Sequence, residues 1–245
     1  MPDSPPPPLS RFAPAALFLD FDGTLVELAE APGAISVPSG LKPLLDRLAE
    51  RLDGRLAIVS GRAVDDLREH LGGFAAVLSG SHGAELHYAD GRSIPVAAPV
   101  GLDSARESIR RFAAGGEGLL IEDKPAGIAL HYRLAPERAE EVDAFLEALA
   151  VVSGLVLQRG KMVAELRPHG TDKGAALLRL MTEPPFAGAR PVFVGDDLTD
   201  EDAFRAAASL GGEGVLVGPD RPSAALWRLE GVAGVTAWLE AAAYG

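Results

Sequence analysis

The feature that most constrains this chain is a series of short apolar runs that end in polar or acidic residues, with helix-periodic segments between them. Leu17, Phe18 and Leu19 end in Asp20, and the run 191–195 is followed by Asp196 and Asp197. Similar runs cover 56–60, which closes on Ser60, and 75–79 and 214–218. Unbroken apolar runs of this length fit strands buried on both faces of a parallel sheet. Helical periodicity fits 39–52, 63–71, 172–182 and 200–209. Strands alternating with helices predict an α/β fold with a doubly wound parallel-sheet core. Such sheets bind ligands beyond the carboxyl ends of their strands, where Asp20, Ser60 and Asp196 fall.

The rhythm changes over residues 100–167. A helix follows Asp103, strands fit 118–122 and 128–134, a helix fits 136–150, and strand-like stretches flank Arg159, Gly160 and Lys161. This segment reads as a smaller α+β cap domain inserted into a core of 11–99 and 168–245, in the position of a lid. Pro5 to Pro8 favour an extended conformation without internal hydrogen bonds, so 1–10 reads as a flexible tail. With 245 residues, 47% of them hydrophobic, the chain can bury a sizeable core. No apolar run has membrane-spanning length and the start lacks a signal-peptide pattern, so a soluble cytoplasmic protein is expected, with no membrane partner. The absence of cysteine excludes thiolate chemistry, and a net charge of −12 argues against a nucleic-acid partner while leaving a small phosphorylated ligand open.

The strongest local signal is Asp20, Phe21, Asp22, Gly23, Thr24 and Leu25. Two carboxylates one residue apart can approach one phosphate if the chain leaves strand geometry, and Gly23 supplies that freedom. One acid can then attack phosphorus, and the other can protonate the leaving alcohol and activate water. Taken alone, the same residues would serve as an acidic turn. Mg²⁺ prefers oxygen ligands at about 2.0–2.1 Å. Asp196 could complete a Mg²⁺ site begun by Asp20 and the backbone carbonyl of Asp22, with Asp197 and Asp200 in support. Lys173, at the start of a helix, can neutralise nucleophile and phosphoryl group, and Ser60 offers a hydroxyl to a phosphoryl oxygen. Each is weak alone, but together they form the set phosphoryl transfer requires.

The segments 20–25, 60–62, Lys173 and 195–200 resemble the four ordered motifs of the haloacid dehalogenase superfamily of phosphatases. The resemblance implies a Rossmann-like core, Mg²⁺ held by Asp20, Asp22 and Asp196, an aspartyl-phosphate intermediate and a cap between the second and third motifs. Asp20, Asp22, Thr24, Ser60 and Lys173 are then the catalytic set. More narrowly, 81–85, 122–124, 160–168 and 195–201 are similar to the trehalose-6-phosphate phosphatases. That likeness implies hydrolysis of trehalose 6-phosphate, with Glu122, Lys124 and Glu165 recognising the sugar and Arg62, His82 and Arg167 as further substrate-binding candidates. Carboxylates accept from sugar hydroxyls and an ammonium donates to them. Trehalose-6-phosphate synthase enters only as a pathway neighbour. Another sugar or glycerate phosphatase, a phosphomutase and a noncatalytic sugar-phosphate sensor stay open as alternatives.

Overall fold

A computed structural model of the chain describes residues 4–28, 35–73, 76–94, 99–115, 117–160 and 162–245. The chain divides into two compact units, Met1–Ile94 with Asp172–Gly245, and Pro95–Thr171, against the expected divisions at 99/100 and 167/168.

In the first unit the order is β1 (Ala15–Leu19), α1 (Leu41–Arg51), β2 (Leu56–Val59), α2 (Val64–Leu71), β3 (Val77–Gly80), β4 (Glu85–His87) and β5 (Ser93–Ile94). The second unit contains α3 (Leu102–Ala113), β6 (Leu120–Asp123), β7 (Ile128–His131), α4 (Ala139–Ser153), β8 (Val156–Gly160) and β9 (Val163–Arg167). The first unit then resumes with α5 (Lys173–Leu180), β10 (Arg190–Gly195), α6 (Glu201–Ser209), β11 (Glu213–Val217), β12 (Trp227–Leu229) and α7 (Val232–Tyr244).

The core sheet has the order β12-β11-β10-β1-β2-β3-β4-β5. From β12 to β3 every neighbouring pair is parallel. β4 and β5 add an antiparallel edge that the apolar runs did not announce. Only Ser81–Gly83 and Ala84 join β3 to β4, too short for the crossover a parallel neighbour needs, so the chain reverses. Alternate residues of β1 feed opposite faces. Leu17 and Leu19 pack with Leu45, Leu67 and Leu239 of α1, α2 and α7, whereas Ala16 and Phe18 pack with Leu177 and Phe204 of α5 and α6. Burying a side chain such as Phe18 contributes ~1.5–3 kcal/mol. Successive parallel strands run outward from β1 in one direction and from β10 in the other. β1 and β10 therefore flank the point where strand order reverses, which is where an open α/β sheet leaves a crevice for ligand.

The proline-rich start departs from the expected flexible tail over its described residues. Ser4 O accepts from Arg228 N at 2.9 Å, Pro7 O accepts from Trp238 Nε1 at 3.0 Å, and Leu9 and Phe12 are buried. Extended proline backbone leaves its carbonyls without internal partners, so they are available to donors from β12 and α7. Residues 1–3 of that tail, Ala75 of the third expected strand and Lys161 lie outside the described residues.

The second unit is an antiparallel sheet of order β6-β7-β9-β8 with α3 and α4 packed on it through Leu102, Ile109, Val142, Leu146, Ile128, Leu130 and Leu166. Among the described residues no helix is long and apolar enough to cross a membrane.

Candidate active site

The site in the first unit is built from neighbouring strand ends. Leu19 of β1 stands opposite Val194 of β10 and Ile58 of β2, so Asp20, Asp196 and Ser60 leave the sheet at the same edge. Asp20 N–H donates to Val194 O at 2.9 Å, extending the ladder by one residue. The chain then turns through Gly23, whose φ of +79° is a left-handed conformation open to glycine, and Gly23 N–H donates to Val26 O at 2.7 Å. A Cβ at Gly23 would stand 2.3 Å from Asp196 Oδ2. Bare backbone here lets the two acidic loops approach.

Lys173 opens α5 behind its N-cap Asp172, whose carboxylate accepts from Ala175 N at 2.7 Å. Its buried ammonium donates to Asp20 Oδ1 at 2.7 Å and to Asp200 Oδ1 at 2.6 Å. Asp200 Oδ2 accepts from Asp197 N at 2.8 Å in a capping box that starts the helical turn before α6. Carboxylate oxygens of Asp20, Asp196 and Asp200 lie within 4.8 Å of one another. Three carboxylates against one ammonium leave an excess of two negative charges when all are ionised. Asp196 Oδ1 is buried without a hydrogen-bond partner.

The protonation tendencies follow from that crowding. Burial raises Asp20 well above the ordinary aspartate value; Lys173 opposes the rise, and the Asp200 and Asp196 charges add to it. Burial also disfavours the charge of Lys173, but Asp20 and Asp200 outweigh it and hold the ammonium above its ordinary value. Asp196 is pushed up to about 6 by burial and then by Asp200.

Asp22 stands outside this carboxylate group. Its two oxygens accept from Arg62, at 2.6 Å from Nε and 2.8 Å from Nη2, while Arg62 Nη1 donates to Asp66 Oδ2 at 2.6 Å. The expected ligand from Asp22 is its backbone carbonyl, and its side chain turns to Arg62, while the carboxylate of Asp200, expected in a supporting position, stands with those of Asp20 and Asp196. Burial opposes the charge of Arg62, yet Asp22 and then Asp66 hold it above the ordinary arginine value. The fork of an arginine matches a carboxylate with two parallel bonds, which explains why Arg62 is captured here.

Ser60 is buried at the end of β2, and its hydroxyl accepts from Arg62 N at 3.1 Å. Thr24 is fully buried and its hydroxyl has no hydrogen-bond partner. His82, at φ +54°, follows Ser81 at φ +47° and donates its N–H to Ser60 O at 3.0 Å. Its ring lies over Gly61, Nε2 being 2.6 Å from where a Cβ would stand. Glu85 accepts from Ser81 Oγ and steadies this turn. Thus Asp20, Asp196, Asp197, Asp200 and Lys173 form one cluster, and Asp22, Arg62, Ser60 and His82 form a linked second one.

The second unit carries its own polar cluster. Lys124 Nζ donates to Glu165 Oε2 at 2.5 Å and lies 3.9 Å from Glu122 Oε1, with Lys124 and Glu165 both buried. Lys124 follows the last residue of β6 and its ammonium lies near Glu122 of that strand, and β9 brings Glu165 opposite Ala129 of β7, which itself pairs with Glu122. Burial works against the charge of Glu122, but the His131 hydrogen bond at 2.9 Å and the Lys124 charge hold it below the ordinary glutamate value. Arg167, at the end of β9, donates to Thr171 Oγ1 at 3.2 Å.

Two residues in these clusters, His131 and Arg221, carry no mark in the sequence motifs. His131 sits in a predicted strand, but its partnership with Glu122 depends on strand register. Arg221 donates to Asp197 O at 2.9 Å and Asp196 O at 3.4 Å, and it pairs with Glu201. The only sequence signal for Arg221 is its place just beyond the apolar run 214–218, at another strand end.

Known proteins bear on this geometry. A family model described as Trehalose-phosphatase matches residues 18–232. The chain is 41% identical over 210 residues to a probable trehalose-phosphate phosphatase of Sinorhizobium fredii (strain NBRC 101917 / NGR234), covering 85% of this chain and 79% of the relative. It is 38% identical over 229 residues to the trehalose-6-phosphate phosphatase of Escherichia coli (strain K12), covering 92% and 85%. The solved C-terminal domain of the C. albicans trehalose-6-phosphate phosphatase shares the fold with a TM-score of 0.83, at 22% identity and coverage of 94% and 92%.

Proposed function

Because this chain belongs to the trehalose-phosphatase family, we propose that it hydrolyses trehalose 6-phosphate to trehalose and inorganic phosphate, with Mg²⁺ as cofactor. The observation that carries the reading is the convergence of Asp20, Asp196, Asp200 and Lys173 at one sheet edge.

Asp20 is the nucleophile. Its carboxylate oxygen bonds to phosphorus as the bond from phosphorus to the sugar oxygen breaks, giving an aspartyl phosphate and the free alcohol. Asp22 gives a proton to the departing sugar oxygen and then takes one from the water that cleaves the aspartyl phosphate. Arg62 holds both Asp22 oxygens in the resting site, so one of them has to leave the guanidinium for the carboxyl to carry the proton it gives. Lys173 favours the ionised form of Asp20 against the effect of burial, orients it and neutralises charge on the transferring group. The Ser60 hydroxyl donates to a phosphoryl oxygen, and Thr24 lies in the turn that follows the two acids, with its hydroxyl buried.

The donor set suits Mg²⁺: its side-chain ligands are oxygens, it carries excess negative charge, Asp196 Oδ1 is buried without a partner, and Gly23 leaves room where a Cβ would intrude. Asp20, Asp196 and the carbonyl of Asp22 hold the ion, supported by Asp197 and Asp200. When bound, Mg²⁺ neutralises phosphoryl oxygens as charge develops. Glu122, Lys124 and Glu165 of the inserted unit recognise the sugar hydroxyls, with Arg167 of the same unit and His82 of the first unit as further substrate-binding residues.

A phosphate-release panel tests this reading, comparing trehalose 6-phosphate with other sugar phosphates and phosphoglycerate in Mg²⁺ and in EDTA. Mg²⁺-dependent release with a clear preference for trehalose 6-phosphate is expected. Equal rates across the panel would replace the substrate, and formation of an isomeric sugar phosphate without phosphate release would replace the reaction.

A further inference from the structure

Arg221 lies on none of the segments that carry the family likeness, yet it holds the acidic loop from behind. β11 neighbours β10 in the sheet, so the segment after β11 runs beside the segment after β10. From there Arg221 Nη2 donates to Asp197 O at 2.9 Å and to Asp196 O at 3.4 Å. Its Nη1 pairs with Glu201 Oε1, and the other Glu201 oxygen accepts from Ala224 N at 2.8 Å. Arg221 and Glu201 thus tie the two loops together.

The peptide between Asp196 and Asp197 is clamped on both edges. Its carbonyl faces Arg221, while its N–H donates to Asp200 Oδ2 at 2.8 Å, and Asp200 in turn accepts from Lys173. With both edges of that peptide fixed, the Asp196 carboxylate is directed toward Asp20 and Asp200. A flat guanidinium can serve two carbonyls and a carboxylate together, which a single ammonium cannot.

We propose that Arg221 is a positioning residue that sets the affinity of the acidic cluster for a divalent cation by fixing the Asp196–Asp197 peptide, with Glu201 as its anchor. This role rests on the Mg²⁺ reading above. Groups that orient metal ligands govern affinity by about 10–100-fold when removed.

The test is direct calorimetric titration of Mn²⁺ into metal-free wild-type, Arg221→Ala, Arg221→Lys and Glu201→Gln proteins, with circular dichroism to establish folding. Arg221→Ala should weaken Mn²⁺ binding about tenfold or more. Arg221→Lys should fall between wild type and Arg221→Ala, and Glu201→Gln should shift in the same direction. Folded Arg221→Ala that binds Mn²⁺ within about twofold of wild type would overturn the role, and if that variant does not fold, unchanged affinity in Glu201→Gln would do so. Wild-type protein that takes up no Mn²⁺ would instead overturn the metal reading, and this role with it.

Discussion

Replacing Asp196 by asparagine should stabilise the metal-free protein at neutral pH. In the fold, burial and Asp200 push the Asp196 carboxyl up to about 6 from its ordinary 3.8. A folded-state value above the unfolded one means that the fold binds the extra proton between these limits. The associated stability is fully present below about 3.8, is lost as pH rises through about 6, and stays lost above that. At about 1.36 kcal/mol per pH unit, the ionised Asp196 costs about 3 kcal/mol at pH 7.5. Asp196→Asn removes the charge, and its amide can donate toward the neighbouring carboxylates. At about 2–4 °C per kcal/mol for a chain of this size, its melting temperature in EDTA at pH 7.5 should rise by up to about 6–12 °C. Near pH 4 the two proteins should converge. Mg²⁺ should then reverse the order at pH 7.5, because wild type gains a ligand to the ion and the variant does not. Thermal melts in EDTA and in Mg²⁺ across this pH range read the outcome directly. An Asp196→Asn protein that melts at or below the wild-type temperature in EDTA at pH 7.5 would refute the reasoning.

Other perturbations separate the roles around the phosphate. Lys173→Met leaves Asp20 and Asp200 without their shared cation, so unfolding in EDTA should show a loss of about 3–5 kcal/mol together with loss of turnover. Unchanged stability would remove Lys173 from the centre of the charge balance. Asp22→Asn should lower kcat by about 10²–10⁴-fold with little effect on Mn²⁺ binding, because its carboxylate lies outside the metal cluster; a matching loss of metal affinity would contradict that division. Glu165→Gln weakens a charged hydrogen bond and disturbs buried Lys124, so kcat/KM for trehalose 6-phosphate should fall about 10–100-fold. A small acyl phosphate should be far less affected, and equal losses on both substrates would argue against sugar recognition.

The sequence exposes those parts of the fold that depend on local pattern. Leu17 to Leu19, the run 191–195 and the helical segments between them declare buried strands and covering helices, and the acids at their ends mark the sheet edge. Pairing over long range is less visible. β4 and β5 are short and mixed in polarity, and β12 and α7 acquire their places from neighbours such as β11 and α1. The proline-rich start reads as a tail because its own residues offer no internal bonds, while its acceptors are met by Arg228 and Trp238, more than two hundred residues away. The same holds in the site. That Asp20 and Asp196 share an edge follows from the strand pattern, but the choice of Asp200 as their companion depends on Lys173 reaching both acids. The capture of Asp22 by Arg62 depends on how the turn at Gly23 aims one side chain. Arg221 is invisible until β11 is set beside β10.

The central claim is that trehalose 6-phosphate transfers its phosphoryl group to Asp20. Rapid acid quench of wild-type protein with phosphate-labelled trehalose 6-phosphate in Mg²⁺, followed by peptide mapping, measures it most directly. Protein-bound label should form and decay as phosphate appears, map to the peptide carrying Asp20, and be absent from Asp20→Asn. Release of phosphate by wild type with no label on that peptide, or undiminished turnover by Asp20→Asn, would contradict the account.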